Sequence, residues 1–266
     1  MKRIAIILSA LLLTAAPGAF AQKAGHFYLG PSIGIMDGVG LEIAMPLSQN
    51  LSLRAGYSIL PKFIYSYQKE FHVPAFKNIP ETDINIKAFP NSANGNVLLD
   101  IYPYNRGSFH ITAGVFFGNG IIASVGNTDR LDSSFDDIYL NVHENDSEDP
   151  ENLYMVKISN NGYFNADLKR NMKVAPYLGF GTGKCGRKAS LIFDLGVMYT
   201  GGLGIYADGS NFVTGETKSV RITSSTIGTD GSGQLRDKGW LDAAGGDVWY
   251  FNLLPMARLT LLFKLF

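Results

Sequence analysis

Apolar residues return at every second position along much of this chain. Between Leu253 and Phe266 the odd positions Leu253, Pro255, Ala257, Leu259, Leu261, Phe263 and Leu265 are all apolar. The even positions include Met256, Arg258, Thr260 and Lys264. A period of two puts the two sets on opposite faces of one β-strand. Val39, Leu41, Ile43 and Met45 alternate with Gly40, Glu42 and Ala44, and Leu53, Ala55 and Tyr57 alternate with Ser52, Arg54, Gly56 and Ser58. Phe109, Ile111, Ala113, Val115 and Phe117 stand against His110, Thr112 and Gly114, and Leu191, Phe193, Leu195, Val197 and Tyr199 against Ser190, Asp194 and Gly196.

The pattern predicts eight strands, at about 26–36, 38–47, 51–60, 82–103, 107–126, 171–183, 187–203 and 249–266. Further strand-like runs at 137–142, 153–159 and 218–224 predict hairpins beyond the main strands, or a count of ten or twelve. One face of each strand is apolar; the other is dominated by Gly, Ser and Thr with isolated charges of both signs. Small residues suit a narrow interior, so the apolar face is assigned to the outside, the reverse of a soluble barrel. Connections at 48–50, 104–106 and 184–187 are short, whereas the alternate ones at 61–81, 127–170 and 204–248 are long, and only the first of that set, around Asp37, is short. Short turns on one side and long loops on the other mark an outer-membrane barrel. The expected fold is all-β, an antiparallel transmembrane β-barrel with both ends of the mature chain in the periplasm.

The first 21 residues read differently. Lys2 and Arg3 precede an apolar run over 4–16, and Ala19-Phe20-Ala21 places small residues at a signal-peptidase site. The run is shorter than the roughly 20 residues a spanning helix needs. A signal peptide cleaved after Ala21 is expected, with residues 22–266 forming the barrel in the cell outer membrane. Lys+Arg and Asp+Glu balance at 23 each, so no field points to nucleic acid. The single Cys185 excludes an intrachain disulfide and reads as an inert turn residue. Tyr102, Tyr104, Trp249, Tyr250 and Phe251 fall where interfacial aromatic belts are expected.

Several segments resemble small OmpA-like outer-membrane barrels: Leu98-Leu99-Asp100-Ile101-Tyr102-Pro103-Tyr104 followed by Gly107-Ser108-Phe109-His110-Ile111-Thr112-Ala113-Gly114, then Ala175-Pro176-Tyr177-Leu178-Gly179-Phe180-Gly181 and Phe193-Asp194-Leu195-Gly196-Val197-Met198-Tyr199. Gly40-Leu41-Glu42 with Leu53-Arg54-Ala55-Gly56-Tyr57, and the closing segment from Trp249, are similar to its first hairpin and last strand. The likeness covers the strands, about half the chain, and implies an eight-stranded outer-membrane barrel with no established activity. Such barrels end in an aromatic on the lipid-facing row. Here Phe266 shares the parity of Lys264 and Arg258, so the lipid row stops at Leu265. Phe263, Leu265 and Phe266 are therefore the candidate assembly signal, with Phe263 and Leu265 expected to suffice.

Candidate chemistry gathers on the inward face: Glu42, Arg54, Asp100, His110, Asp194, Arg258 and Lys264. Charges enclosed in a narrow space are costly unless paired, so a salt-bridge network is expected to pin the interior. His110 sits close to a short turn, at the wrong depth for a lipid-modifying site. His26, His72 and His143 have no metal-ligand spacing. The acidic loop 127–170 holds a weak candidate for divalent cations at Asp136, Asp137, Asp146, Glu148 and Asp149, without EF-hand spacing. Gly179-Phe180-Gly181-Thr182-Gly183-Lys184 lacks the spacing of a phosphate loop.

No cofactor motif is present. The expected function is a non-catalytic structural or surface-interaction role. The alternatives are a narrow channel or conduit for ions or small hydrophobic molecules, and a lipid-modifying enzyme. Expected partners are outer-membrane lipid and lipopolysaccharide, and the barrel-assembly machinery and periplasmic chaperones during biogenesis. No nucleic acid is expected, and the barrel should be a monomer.

Overall fold

The computed structural model describes residues 26–60, 66–73, 81–104, 107–133, 139–143, 153–157, 159–186, 188–211, 213–222, 227–228 and 252–265. The expected signal peptide, the aromatics Trp249, Tyr250 and Phe251, the terminal Phe266 and the five acidic-loop candidates lie outside these residues.

Seventeen strands are described. They are β1 (Tyr28–Gly34), β2 (Gly38–Pro46), β3 (Leu51–Leu60), β4 (Tyr67–Val73), β5 (Thr82–Pro90), β6 (Ser92–Ile101), β7 (Phe109–Gly118), β8 (Ile121–Asn127) and β9 (Tyr139–His143). Then follow β10 (Leu153–Lys157), β11 (Asn165–Arg170), β12 (Val174–Thr182), β13 (Ala189–Tyr199), β14 (Leu203–Asn211), β15 (Thr217–Ile222), β16 (Ile227–Gly228) and β17 (Leu253–Lys264). Eight close a barrel in the order β1-β17-β13-β12-β7-β6-β3-β2, all antiparallel. Closure pairs the first and last of these strands, Leu29 opposite Phe263 and Ile33 opposite Leu259, and removes the free edges an open sheet would expose.

The alternating faces point as the pattern predicts. Leu41, Ile43, Tyr57, Leu178, Phe180, Leu191, Leu259 and Phe263 are exposed on the outer wall. Glu42, Arg54, Asp100, His110, Thr112, Asp194, Arg258 and Thr260 are buried within. β12 reads as strict alternation, with Val174, Pro176, Leu178, Phe180 and Thr182 outward and Ala175, Tyr177, Gly179 and Gly181 inward.

Three of the long predicted strands are broken. The run expected at 82–103 divides at Asn91 into β5 and β6, that at 107–126 divides at Asn119-Gly120 into β7 and β8, and that at 187–203 ends at Tyr199, before β14 begins. Gly120 (φ 73°) and Gly201 (φ 69°) occupy the left-handed region at two of the breaks, where a side chain would be strained. Beyond the breaks β5, β8, β11 and β14 pair in the same order as β6, β7, β12 and β13 below them. One half of the barrel wall therefore continues as a second sheet, while β1 and β2 are joined by a tight turn at 35–37. The runs at 137–142, 153–159 and 218–224 overlap β9, β10 and β15, which join this second sheet and leave the barrel at eight strands. Its core is Val142, Tyr154, Val156, Ala207 and Val220.

Candidate functional site

The barrel interior is stacked in three layers. At the end carrying the short turns, Tyr28, Ala44, Cys185, Ile192 and Leu262 pack into a buried apolar cluster. Toward the other end Leu98, Phe116, Ala175, Tyr177, Met198 and Met256 form a second, with Met36 and Leu254 against it. Between them lies the ionic layer.

Arg54, wholly buried on β3, is its centre. Its Nη1 donates to Glu42 Oε1 at 3.2 Å and to Asp194 Oδ2 at 2.8 Å. Its Nη2 donates to Asp100 Oδ1 at 2.7 Å and Asp194 Oδ1 at 3.0 Å. Four strands are thereby tied to one guanidinium, whose planar fork suits several carboxylates at once. Arg258, on β17, donates from Nη1 to Glu42 Oε2 at 2.7 Å and from Nε to Asp37 Oδ2 at 2.8 Å, and Nη2 also meets Asp37. The Asn96 side-chain oxygen accepts from Arg258 Nη2 at 2.8 Å in the orientation that satisfies both groups. Glu42 thus bridges the two arginines.

His110 Nε2 lies 2.8 Å from Asp194 Oδ1, and its Nδ1 faces the Ser108 carbonyl oxygen at 3.2 Å. Both neighbours are acceptors, so whichever ring nitrogen carries a proton donates to the oxygen it faces. Thr112 Oγ1 donates to Asp100 Oδ1 at 2.8 Å. The His110–Asp194 pair needs a missing side chain beside it: a Cβ on Gly181 would stand 2.6 Å from His110 Nε2 and 2.9 Å from Asp194 Oδ1. The apolar layers on either side lower the local dielectric, which strengthens each satisfied ion pair and penalises a broken one.

Six of the seven inward charges expected from sequence share this layer; Lys264 does not. Its side chain is exposed, because β17 passes its last buried residue at Leu262 before reaching it. Parity put Lys264 on the inner face, and depth takes it out of the interior. Asp37, Asn96 and Thr112 were not among the expected residues. Asp37 sits in the turn before β2 and reads as a turn former, yet it is only 2% exposed and anchors Arg258. The pairing of Gly34 with Arg258 across β1 and β17 brings Asp37 and Arg258 together, and no local pattern in the sequence marks it. Tyr102, placed by sequence in an aromatic belt, is instead buried below His110, with ring centroids 5.3 Å apart, while Tyr104 is exposed.

Phe263 and Leu265 lie exposed on the outer row with Leu259 and Leu261. Lys184 Nζ stands 4.8 Å from the Tyr102 ring centroid and donates to Gln49 O, holding the turn over the base of the interior. Burial pushes the Cys185 thiol up to about 12 and also raises the Tyr102 phenol.

The layer's chemistry is that of a clasp. Asp100, His110 and Asp194 each place a ligand atom within 4.8 Å of the others, a spacing open to a metal ion. Arg54 already occupies two of these three groups, so a cation would have to displace a guanidinium held by four hydrogen bonds. His110 and Asp194 form a base and orienter, but among the described residues no Ser, Thr or Cys side chain is hydrogen-bonded to the ring. A space for about one water molecule remains beside Asp194 and Arg258, lined by Leu98, Phe116, Tyr177 and Met256.

No family model and no curated protein matches the chain. Among solved structures it is similar to Acinetobacter baumannii CarO2, at 14% identity over 92% of this chain and 100% of that one, with a TM-score of 0.46. Acinetobacter baumannii CarO gives 14% identity, 90% and 97% coverage and a TM-score of 0.45. A major outer membrane protein from Thermus thermophilus gives 11% identity, 90% and 98% coverage and a TM-score of 0.36. At these TM-scores the likenesses are loose, and the closed barrel is read from the chain's own strand pairing.

Proposed function

We propose that this chain is a non-catalytic outer-membrane β-barrel whose interior is closed by an ionic clasp and whose outer sheet serves a structural or surface-interaction role. One observation carries the reading. The eight strands turn an apolar wall outward and enclose fully buried arginines and carboxylates, an arrangement that lipid rewards and water does not. Four of the strands continue into the second sheet on the side of the long connections, which in an outer membrane faces the exterior. The two apolar clusters with the ionic layer between them, stacked across the interior, support a closed barrel over a conducting one.

The first test is location and conductance. Folded protein should sediment with outer membranes and migrate faster on unheated gels than after boiling. In planar bilayers the wild type should show no discrete openings. Openings that change in Glu42→Gln or Arg258→Ala would replace the closed reading with a narrow channel. Recovery in the soluble fraction would remove the membrane assignment itself.

A further inference from the structure

The short-turn end of the barrel carries side-chain charge of one sign. The segments 22–27, 47–50, 102–108, 183–188 and 264–266 contain no Asp or Glu, and they hold Lys23, Arg106, Lys184, Arg187, Lys188 and Lys264. Over the whole chain the two signs balance at 23 each. Lys23, Arg106 and Arg187 lie outside the described residues. The other three are positioned by β13, β17 and the turn before β13.

β13 and β17 pair from Tyr199 opposite Leu253 to Ala189 opposite Phe263. The ladder runs one step further, because the Lys264 N–H donates to the Lys188 carbonyl oxygen at 3.0 Å. Lys188 and Lys264 are therefore directly opposite one another and share one face of the sheet. Both are exposed. Among the described residues neither is paired with a carboxylate. Like charges directly opposed weaken a sheet. Their own barrel does not answer them, since the cluster holding Ile192 and Leu262 stands between them and the clasp. Lys184 adds a third cation on the adjoining turn, with its Nζ 2.6 Å from Gln49 O.

Position chooses among anions. The outer row of the same two strands, Leu191, Leu261 and Phe263, is exposed at this end, and Leu265 continues it. A hydrocarbon chain lying on this wall brings its headgroup to the level of the lysines, within reach of their long flexible stems. A free anion gains nothing from the wall.

We propose that Lys188 and Lys264 form a headgroup site for an anionic phospholipid of the leaflet at the short-turn end. The two ammonium groups hold the phosphate, and the acyl chains lie along the seam of β13 and β17. The site rests on the reading of the chain as a membrane barrel and adds the class of lipid that its base selects.

The test uses the full mature chain, folded in dodecylmaltoside micelles with equal amounts of dioleoyl phosphatidylglycerol and dioleoyl phosphatidylcholine. Native mass spectrometry counts the first lipid retained. The two lipids share their chains, so the ratio reads the headgroup. The wild type should keep phosphatidylglycerol at least about tenfold over phosphatidylcholine, since each lysine at an anionic surface contributes about fivefold. Raising ammonium acetate from about 50 mM to about 500 mM should reduce this preference, because exposed charges are screened. Lys188→Gln with Lys264→Gln should lower it about tenfold, and arginine at both positions should keep it. Lys173→Gln with Lys218→Gln, which removes the same charge from before β12 and from β15, should also keep it. Inorganic phosphate that displaces the lipid at equal concentration would put a free anion in its place and overturn the assignment. A ratio near one in folded wild type, or an equal fall in both glutamine pairs, would overturn the site while the gel shift of unheated protein upheld the barrel. Loss of that gel shift in the wild type, with recovery in the soluble fraction, would overturn the barrel reading and the site with it.

Discussion

Arg54 shows most clearly what a single residue does in this interior. One guanidinium answers Glu42, Asp100 and Asp194, each from a different strand. Replacing it with methionine keeps most of the volume and leaves three carboxylates converging without their cation. Breaking a buried ionic cluster by removing one partner costs about 3–5 kcal/mol. Arg54→Met should therefore lower the urea unfolding midpoint by a matching amount, read from the gel shift of unheated protein. Thr112→Val, which removes one hydroxyl from Asp100, should cost about 1 kcal/mol. Equal losses for the two variants would mean that the carboxylates re-pair without Arg54.

At the scale of elements, the hairpin of β4 and β5 carries a titratable pair. His72 lies directly across from Asp83, with Nδ1 2.9 Å from Asp83 Oδ1, and Glu81 stands 3.3 Å from Nε2. The hydrogen bond to Asp83, and then the nearby carboxylates, raise the imidazole above its ordinary value. A raised histidine contributes its stability fully below the unfolded value and loses it as pH climbs through the folded one. His72 should accordingly titrate by NMR above a free histidine, and Asp83→Asn should bring it back toward the ordinary value. A titration unmoved by Asp83→Asn would contradict the pairing.

The closing strand supplies a second element-scale prediction. Leu259, Leu261, Phe263 and Leu265 form the exposed row of β17 and its end. Deleting Phe266 alone should leave membrane insertion intact, whereas Phe263→Ser should impair it. Failure to insert on the Phe266 deletion would mean that the last aromatic is required in spite of its parity.

For the whole molecule, the layering makes Cys185 a reporter of closure. The thiol is 6% exposed within the cluster that seals the short-turn end, and burial holds it largely unionised at neutral pH. In the folded protein it should resist a disulfide reagent at pH 8 and react promptly once unfolded in urea. Fast labelling of folded protein would show that the base of the barrel opens. The wall that closes this end is uneven above: the strands on one side run on into a sheet with its own apolar core, while β1 and β2 turn over tightly.

Period-two alternation located the eight barrel strands, the small residues on one face turned the other outward, and the short turns showed how neighbours connect. Those are local consequences of chain geometry. Alternation also put Glu42, Arg54, Asp100, His110, Asp194 and Arg258 on one inner face. The breaks at Asn91, Asn119-Gly120 and Tyr199, and β4 inside the expected loop at 61–81, came only with the structure. What parity does not carry is depth along the barrel axis or the distance between strands remote in sequence. Only closure and register decided that Lys264 emerges while Asp37 is enclosed, and that Asp194 meets Arg54 from across the barrel. The same holds for the apolar layers: Leu98, Phe116, Met198 and Met256 interrupt the polar face and look like ordinary strand hydrophobics until β6, β7, β13 and β17 converge around them. Packing across a closed wall is a property of all eight strands together, and no stretch of the chain records it alone.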